Sequence, residues 1–178
     1  MKETIKKLYL MQLRYGGISE EEFHFLPETE RRLLVERPNG RFILADSERK
    51  KIKVVLAGGV FDIIHIGHVF TLTEAKRHGD VLVVAIADEK HIRRKGREPI
   101  HSNEYRKALV EALKPVDIAM VGFADPKEMV DLVDPDTIVY GYDQKEFIRP
   151  KGVEVVKLDK KIDDSKFKSG KIIAELGL

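Results

Sequence analysis

Val54-Val55-Leu56-Ala57-Gly58-Gly59-Val60-Phe61-Asp62-Ile63-Ile64-His65-Ile66-Gly67-His68 is the stretch whose reading decides the fold. The aliphatic run 52–57 has the length and polarity of a buried strand in a parallel sheet, and the two glycines are expected to end it in a sharp turn. From Ile66 onward apolar residues recur at helical spacing through Val69, Leu72 and Ala75, so Gly67 and His68 fall in the first turn of a helix. His65 and His68, three apart, then lie side by side where a helix offers its free N–H groups and the positive end of its dipole, an anion site. Imidazoles at such a place suit stabilisation of charge that builds on a phosphate during displacement. The plainer alternative, His65 packed on the turn and His68 capping it, leaves the neighbouring glycines and Asp62 unexplained.

Working outward, residues 80–87 read as a second buried strand ending at Asp88, and the intervening helix makes a parallel crossover whose ligands bind beyond the carboxyl ends of the strands. Arg93-Arg94-Lys95-Gly96-Arg97 follows, either a solvated surface run or a loop that closes a cation over phosphates. Ser102 or Asn103 caps the next helix, with Leu109, Val110 and Leu113 on its core side and Pro115 at its end. Strands at 118–122, 137–141 and 153–158, with a helix at 126–133, complete the alternation, which predicts an α/β, doubly wound, five-stranded parallel sheet over residues 51–178. Residues 1–50 read as a small, mainly helical extension. It has an amphipathic helix at 4–14 stopped by Gly16-Gly17, a capping-box start at Ser19, a further turn running from Thr29 through Leu33, Leu34 and Val35, and a strand or hairpin arm at 41–44 after the Pro38-Asn39-Gly40 turn.

Composition narrows the function classes. Cations and acids number 32 and 30, with eleven against nine through residue 51 and twenty-one against twenty-one after it, so no part is a polyanion binder by bulk charge and no nucleic-acid partner is expected. Cysteine is absent, which removes disulfides, thiolate metal sites and a cysteine nucleophile. No apolar segment approaches bilayer length and no signal-peptide core opens the chain; a cytoplasmic protein without membrane contact is expected. The apolar side of the first helix, Ile5, Leu8 and Leu13, calls for a cover, which a homodimer would supply.

Gly59-Val60-Phe61-Asp62-Ile63-Ile64-His65-Ile66-Gly67-His68 resembles the G-x-F-D-x-x-H-x-G-H signature of the cytidylyltransferase-like nucleotidylyltransferase superfamily, and the resemblance runs over about residues 52–176. Val60 and Ile66 are similar to phosphoethanolamine and phosphocholine cytidylyltransferases, while residues 106–117 and Gly141-Tyr142-Asp143-Gln144 look more like the archaeal FAD synthetases. The resemblance implies a Rossmann-like enzyme moving a nucleoside monophosphate from CTP or ATP onto a small phosphate monoester with release of pyrophosphate, FMN being the alternative acceptor with ATP. It implies His65, His68 and Lys95 as catalytic, with Arg94 or Arg97 in place of Lys95 if the register differs. It further implies nucleotide contacts from Gly59, Val60, Phe61, Asp62, Gly67, Asp88, Arg106, Gly141, Asp143, Lys168 and Ser169. Arg106 is otherwise a salt-bridged structural arginine and Asp143 a helix cap. Ser165 to Ile173 matches the family's serine- and threonine-rich phosphate segment only in part. Mg2+ would arrive with the triphosphate, aided by Asp62, and no built-in metal cluster is expected because His24, His78, His91 and His101 are scattered. A nucleotide-sensing regulator on the same fold is the competing class.

Overall fold

The computed structural model describes residues 1–94, 96, 98–123, 125–159, 172 and 175, and the chain divides into two compact units, 1–53 and 54–178.

In the first unit, helix α1 (Lys2–Tyr15) is closed by Gly16 in the left-handed conformation, φ 67°. Ser19 starts α2 (Glu20–Phe25) with a capping box: its hydroxyl accepts from the Glu22 N–H at 3.2 Å and its own N–H donates to the Glu22 carboxylate at 2.8 Å. The single-turn α3 (Glu28–Arg31) stops early, and the expected helical turn through Leu34 and Val35 is instead strand β1 (Leu34–Glu36), antiparallel to β2 (Phe42–Leu44). The cause is the intervening turn, where the Gly40 N–H reaches the Arg37 carbonyl at 2.9 Å and the Arg37 N–H the Arg41 carbonyl at 2.7 Å, aligning the two apolar runs as a hairpin. A short helix α4 (Asp46–Arg49) follows, and α1 packs on β2 and α4. Ile5, Leu8, Tyr9 and Leu13 are all buried. The apolar side of α1 is therefore covered within the chain and does not await a second subunit.

The second unit carries β3 (Val54–Gly59), α5 (Ile66–Lys76), β4 (Val81–Ile86), α6 (Glu89–Arg93), α7 (Asn103–Glu111), β5 (Ile118–Val121), α8 (Pro126–Val133), β6 (Thr137–Tyr140) and β7 (Glu154–Lys157). All five strands pair in parallel in the order β5-β4-β3-β6-β7. The core gathers Val55, Ala57, Leu72, Leu82, Val84, Val110, Ala119 and Val139 from strands and helices alike. Aspartates peg the amino ends: Asp136 accepts the Val54 N–H and Asp117 the Leu82 N–H, each at 2.7 Å. From β3 the chain winds outward to β4 and β5, then returns to lay β6 on the other side of β3. The β3–β6 junction is thus the topological switch point, where open parallel sheets bind ligands beyond their carboxyl ends.

Candidate active site

Contrary to the expected turn at the glycines, β3 runs through Gly58 and Gly59, which stay in register with Ala85 and Ile86 of β4. The chain turns at Phe61, whose φ of 53° is unusual for a bulky side chain. That conformation folds the phenyl ring back over Gly59, where an added Cβ would stand 2.8 Å from a ring carbon. Gly59 is a glycine because the ring occupies its side-chain space.

Above the ring the signature builds a column. Phe61 and His68 have ring centroids 5.0 Å apart, and His68 and His65 stack at 3.9 Å with 29° between planes. A Cβ on Gly67 would meet the His65 ring at 3.0 Å, so glycine bounds the column at this end as well. His65 is the N-cap residue of α5 without a side-chain capping bond, and the first turn closes with the His68 N–H on the His65 carbonyl at 2.9 Å. The N–H groups of Ile66 and Gly67 precede that bond, in the first turn where a helix has no acceptor of its own to offer them.

Burial holds the His68 imidazole down to about 4, reinforced by repulsion from His65. His65 is also lowered by burial, opposed by the Asp143 carboxylate. Both rings are therefore neutral near pH 7 until an anion arrives. Each Nδ1 is buried without a hydrogen-bond partner. A buried N–H lacking an acceptor is the costlier orphan, so the proton is better placed on Nε2, where it can donate to a phosphate oxygen.

Two residues expected to touch nucleotide do other work. The Asp62 carboxylate, 1% exposed, accepts the backbone N–H groups of Ile100 (3.0 and 3.1 Å to its two oxygens) and His101 (3.0 Å). Arg106 is fully buried on α7, where its guanidinium donates to the carbonyls of Val60 (2.8 Å), Ala87 (2.7 Å) and His101 (3.2 Å) and to the Asn103 amide oxygen (2.6 Å). With donors on carbonyls of three loops, Arg106 ties the Val60, Ala87 and His101 segments together beneath the site. Its place on the core face of α7 also corrects the expected packing there, since Leu109 is 44% exposed. Asp88 accepts the Lys90 N–H as N-cap of α6, and Glu89 and Asn103 exchange backbone-to-side-chain bonds at 3.1 and 2.8 Å. Nothing in local spacing marks that pair.

Across the switch point, Gly141 is buried just past β6 and its N–H donates to the Gln144 side-chain oxygen at 2.8 Å, while Gln144 Nε2 donates to the Gly58 carbonyl at 2.7 Å. Gln144, quoted from sequence only as the end of the 141–144 stretch, ties the end of β6 to β3. Asp143 is exposed beside it and residues 144–153 are not helical, so it caps no helix there; its charge acts on His65. The structure thus brings together Gly59, Val60, Phe61, Gly67, both histidines, Gly141 and Asp143. Arg94 is exposed and its Nε bonds the Lys90 carbonyl at 3.2 Å. Lys95, Arg97, Lys168 and Ser169 lie outside the described residues. Among the described residues no group of three His, Cys, Asp or Glu side chains is placed to hold a metal ion. With its carboxylate turned onto backbone N–H groups, Asp62 does not fit the role of magnesium ligand.

Residues 56–175 match the family model described as cytidylyltransferase-like. The chain is 44% identical over 135 residues to a protein named FAD synthase from Ferroglobus placidus, covering 70% of this chain and 88% of that one. It is 40% identical over 141 residues to one of the same name from Thermococcus onnurineus, covering 72% and 93%. A solved structure described as the lipopolysaccharide core biosynthesis protein from Thermoplasma volcanium GSS1 superposes with a TM-score of 0.57 at 38% identity, over 63% of this chain and 99% of that one.

Proposed function

The chain belongs to the cytidylyltransferase-like family and is a nucleotidyltransferase, and from that premise we propose that it transfers AMP from ATP to the phosphate of FMN, yielding FAD and pyrophosphate. The acceptor phosphate oxygen attacks the α-phosphorus, the bond to the β-phosphate breaks, and pyrophosphate leaves; no protein nucleophile is required. The observation that carries the reading is the stacked His65–His68 pair at the start of α5, set at the switch point. Nε2–H groups donating from a site that excludes part of the solvent gain strength as negative charge grows on the α-phosphate and bridging oxygens. Gly141 and Asp143 lie on the β6 side, where base and ribose would sit, and Lys95 with the Ser169 segment would hold the outer phosphates. Mg2+ would travel on the triphosphate, and no step depends on a protein ligand to it.

The choice of ATP and FMN rests on the two relatives named FAD synthase, aligned across the catalytic unit. CTP with a small phosphate monoester is the second reading, favoured by Val60 and Ile66 within the signature. The reaction would run in the cytoplasm. A homodimer is supported by Tyr105 and Leu109, exposed apolar residues four apart on α7. Pyrophosphate release measured for ATP and CTP against FMN, phosphoethanolamine and glycerol 3-phosphate tests the proposal. Release with ATP and FMN is expected; release with CTP alone moves the assignment to the second reading, and binding without release makes the protein a nucleotide sensor.

A further inference from the structure

Among the histidines that sequence spacing left scattered, His101 is held with unusual care. Its Nδ1 stands 2.7 Å from the Asp62 carbonyl oxygen, and a carbonyl only accepts, so the Nδ1 carries the hydrogen. Its backbone N–H donates to the buried Asp62 carboxylate at 3.0 Å, with the nearer carboxylate oxygen 3.7 Å from Nδ1. Its carbonyl takes Arg106 Nε at 3.2 Å, and the same guanidinium grips the carbonyls of Val60 after β3 and Ala87 after β4. One contact thus holds the ring and two hold the backbone behind it, tying His101 to the segments that follow β3 and β4, on the side of β3 away from β6. The side chain is still 38% exposed, and among the described residues Nε2 has no protein partner.

We propose that His101 is a further phosphate-contacting residue of the active site, its Nε2 sharing a proton with an oxygen of either the acceptor phosphate or the departing pyrophosphate. The inference rests on the nucleotidyl-transfer reading. With Nδ1–H committed to Asp62, Nε2 is a lone pair in the neutral ring and a donor in the cation, so the neutral ring accepts from a phosphate P–OH and the cation donates to a P–O⁻, one proton lying between them in either case. Asp62 acquires a part in function by this route: the signature carboxylate, removed from direct contact with nucleotide, holds a third imidazole against the site.

His101→Asn and His101→Gln separate this role from a purely structural one. The Asn amide N–H falls near the position of Nδ1–H and keeps the Asp62 link, whereas the longer Gln reaches the position of Nε2. Pyrophosphate release is measured with KM determined for nucleotide and acceptor separately, alongside thermal melting. His101→Asn is expected to melt like the wild type and to raise one KM about tenfold, the loss of a single charge-assisted hydrogen bond, with partial recovery in His101→Gln. A rise confined to the acceptor assigns the contact to its phosphate, and a rise confined to the triphosphate assigns it to pyrophosphate. Wild-type kinetics in His101→Asn with a lowered melting temperature in His101→Gln would overturn the inference in favour of a mere clamp. If the wild type releases no pyrophosphate at all, the function reading has failed separately. The inference is then decided by the His101 imidazole resonance during titration with Mg·ATP and with FMN: saturable movement with either supports it, and an unmoved resonance with both overturns it.

Discussion

Replacing Gly67 with alanine should slow the enzyme while leaving its stability nearly untouched. The new Cβ would lie 3.0 Å from His65 Nδ1 and 3.1 Å from its Cε1. Restoring an ordinary contact of ~3.5 Å requires the ring to slide by roughly 0.5 Å. Gly67 is not at positive φ and lies in the first turn of α5, so alanine brings no backbone strain. It lowers the entropy of the unfolded chain, a gain of about 0.4–1 kcal/mol that offsets the cost of moving one partly exposed side chain. The melting temperature should therefore stay within about 3 °C of wild type. Chemistry is less forgiving, because a misplacement of ~1 Å can cost about a hundredfold in rate; half that shift predicts a fall in turnover of roughly tenfold at saturating substrates. Steady-state pyrophosphate release and calorimetry on the same preparation measure both effects. Unchanged turnover would show that the position of His65 does not set the rate, and a melting temperature lowered by more than about 10 °C would show that Gly67 serves the fold.

Three further outcomes follow from the buried polar groups and the division of the chain. Arg106→Met should lower the melting temperature by about 10 °C, because the carbonyls of Val60, Ala87 and His101 lose their donor at a cost of about 3 kcal/mol or more; an unchanged melting curve would refute its positioning role. Native His68 resists protonation down to about pH 4 while the unfolded residue titrates near its ordinary value of 6.5, so stability should be level above pH 6.5 and fall between 6.5 and 4. The fall is up to about 3 kcal/mol by the size of the shift and about 1–2 after discounting for partial exposure, and His68→Asn should lose that part of the pH dependence. A chain cut before Val54 should fold and bind Mg·ATP, since the catalytic sheet and its aspartate pegs all lie beyond that point; loss of nucleotide binding by a soluble, folded fragment would assign residues 1–53 to the site.

The parallel sheet was legible because aliphatic runs such as Val81 to Ile86 are buried on both faces and alternate with capped helices. The histidine column was legible as a pair at helical spacing, but the reason for its glycines was not: Gly59 and Gly67 leave room for the rings of Phe61 and His65, a packing fact that backbone signals do not carry. Leu33, Leu34 and Val35 read as a helical turn because so short an apolar run fits either period, and a partner at Phe42–Leu44, aligned by the intervening turn, makes Leu34–Glu36 a strand. The partners of Arg106 and Gln144 are illegible for another reason. Each side chain joins backbone groups far apart in sequence, Val60 with Ala87 in one case and Gly58 with Gly141 in the other, and carbonyls leave no trace in residue type. Asp62 was recognisable as part of the signature, yet its work, holding Ile100 and His101, depends on a loop almost forty residues away.

The central claim is that the stacked imidazoles stabilise charge on the transferring phosphate, and single-turnover measurement of pyrophosphate release in His65→Ala and His68→Ala tests it most directly. The account predicts that each variant keeps a melting temperature near that of the wild type and transfers the nucleotidyl group at least about a hundredfold more slowly. Transfer at a near-normal rate in either variant, with substrates saturating, would contradict it.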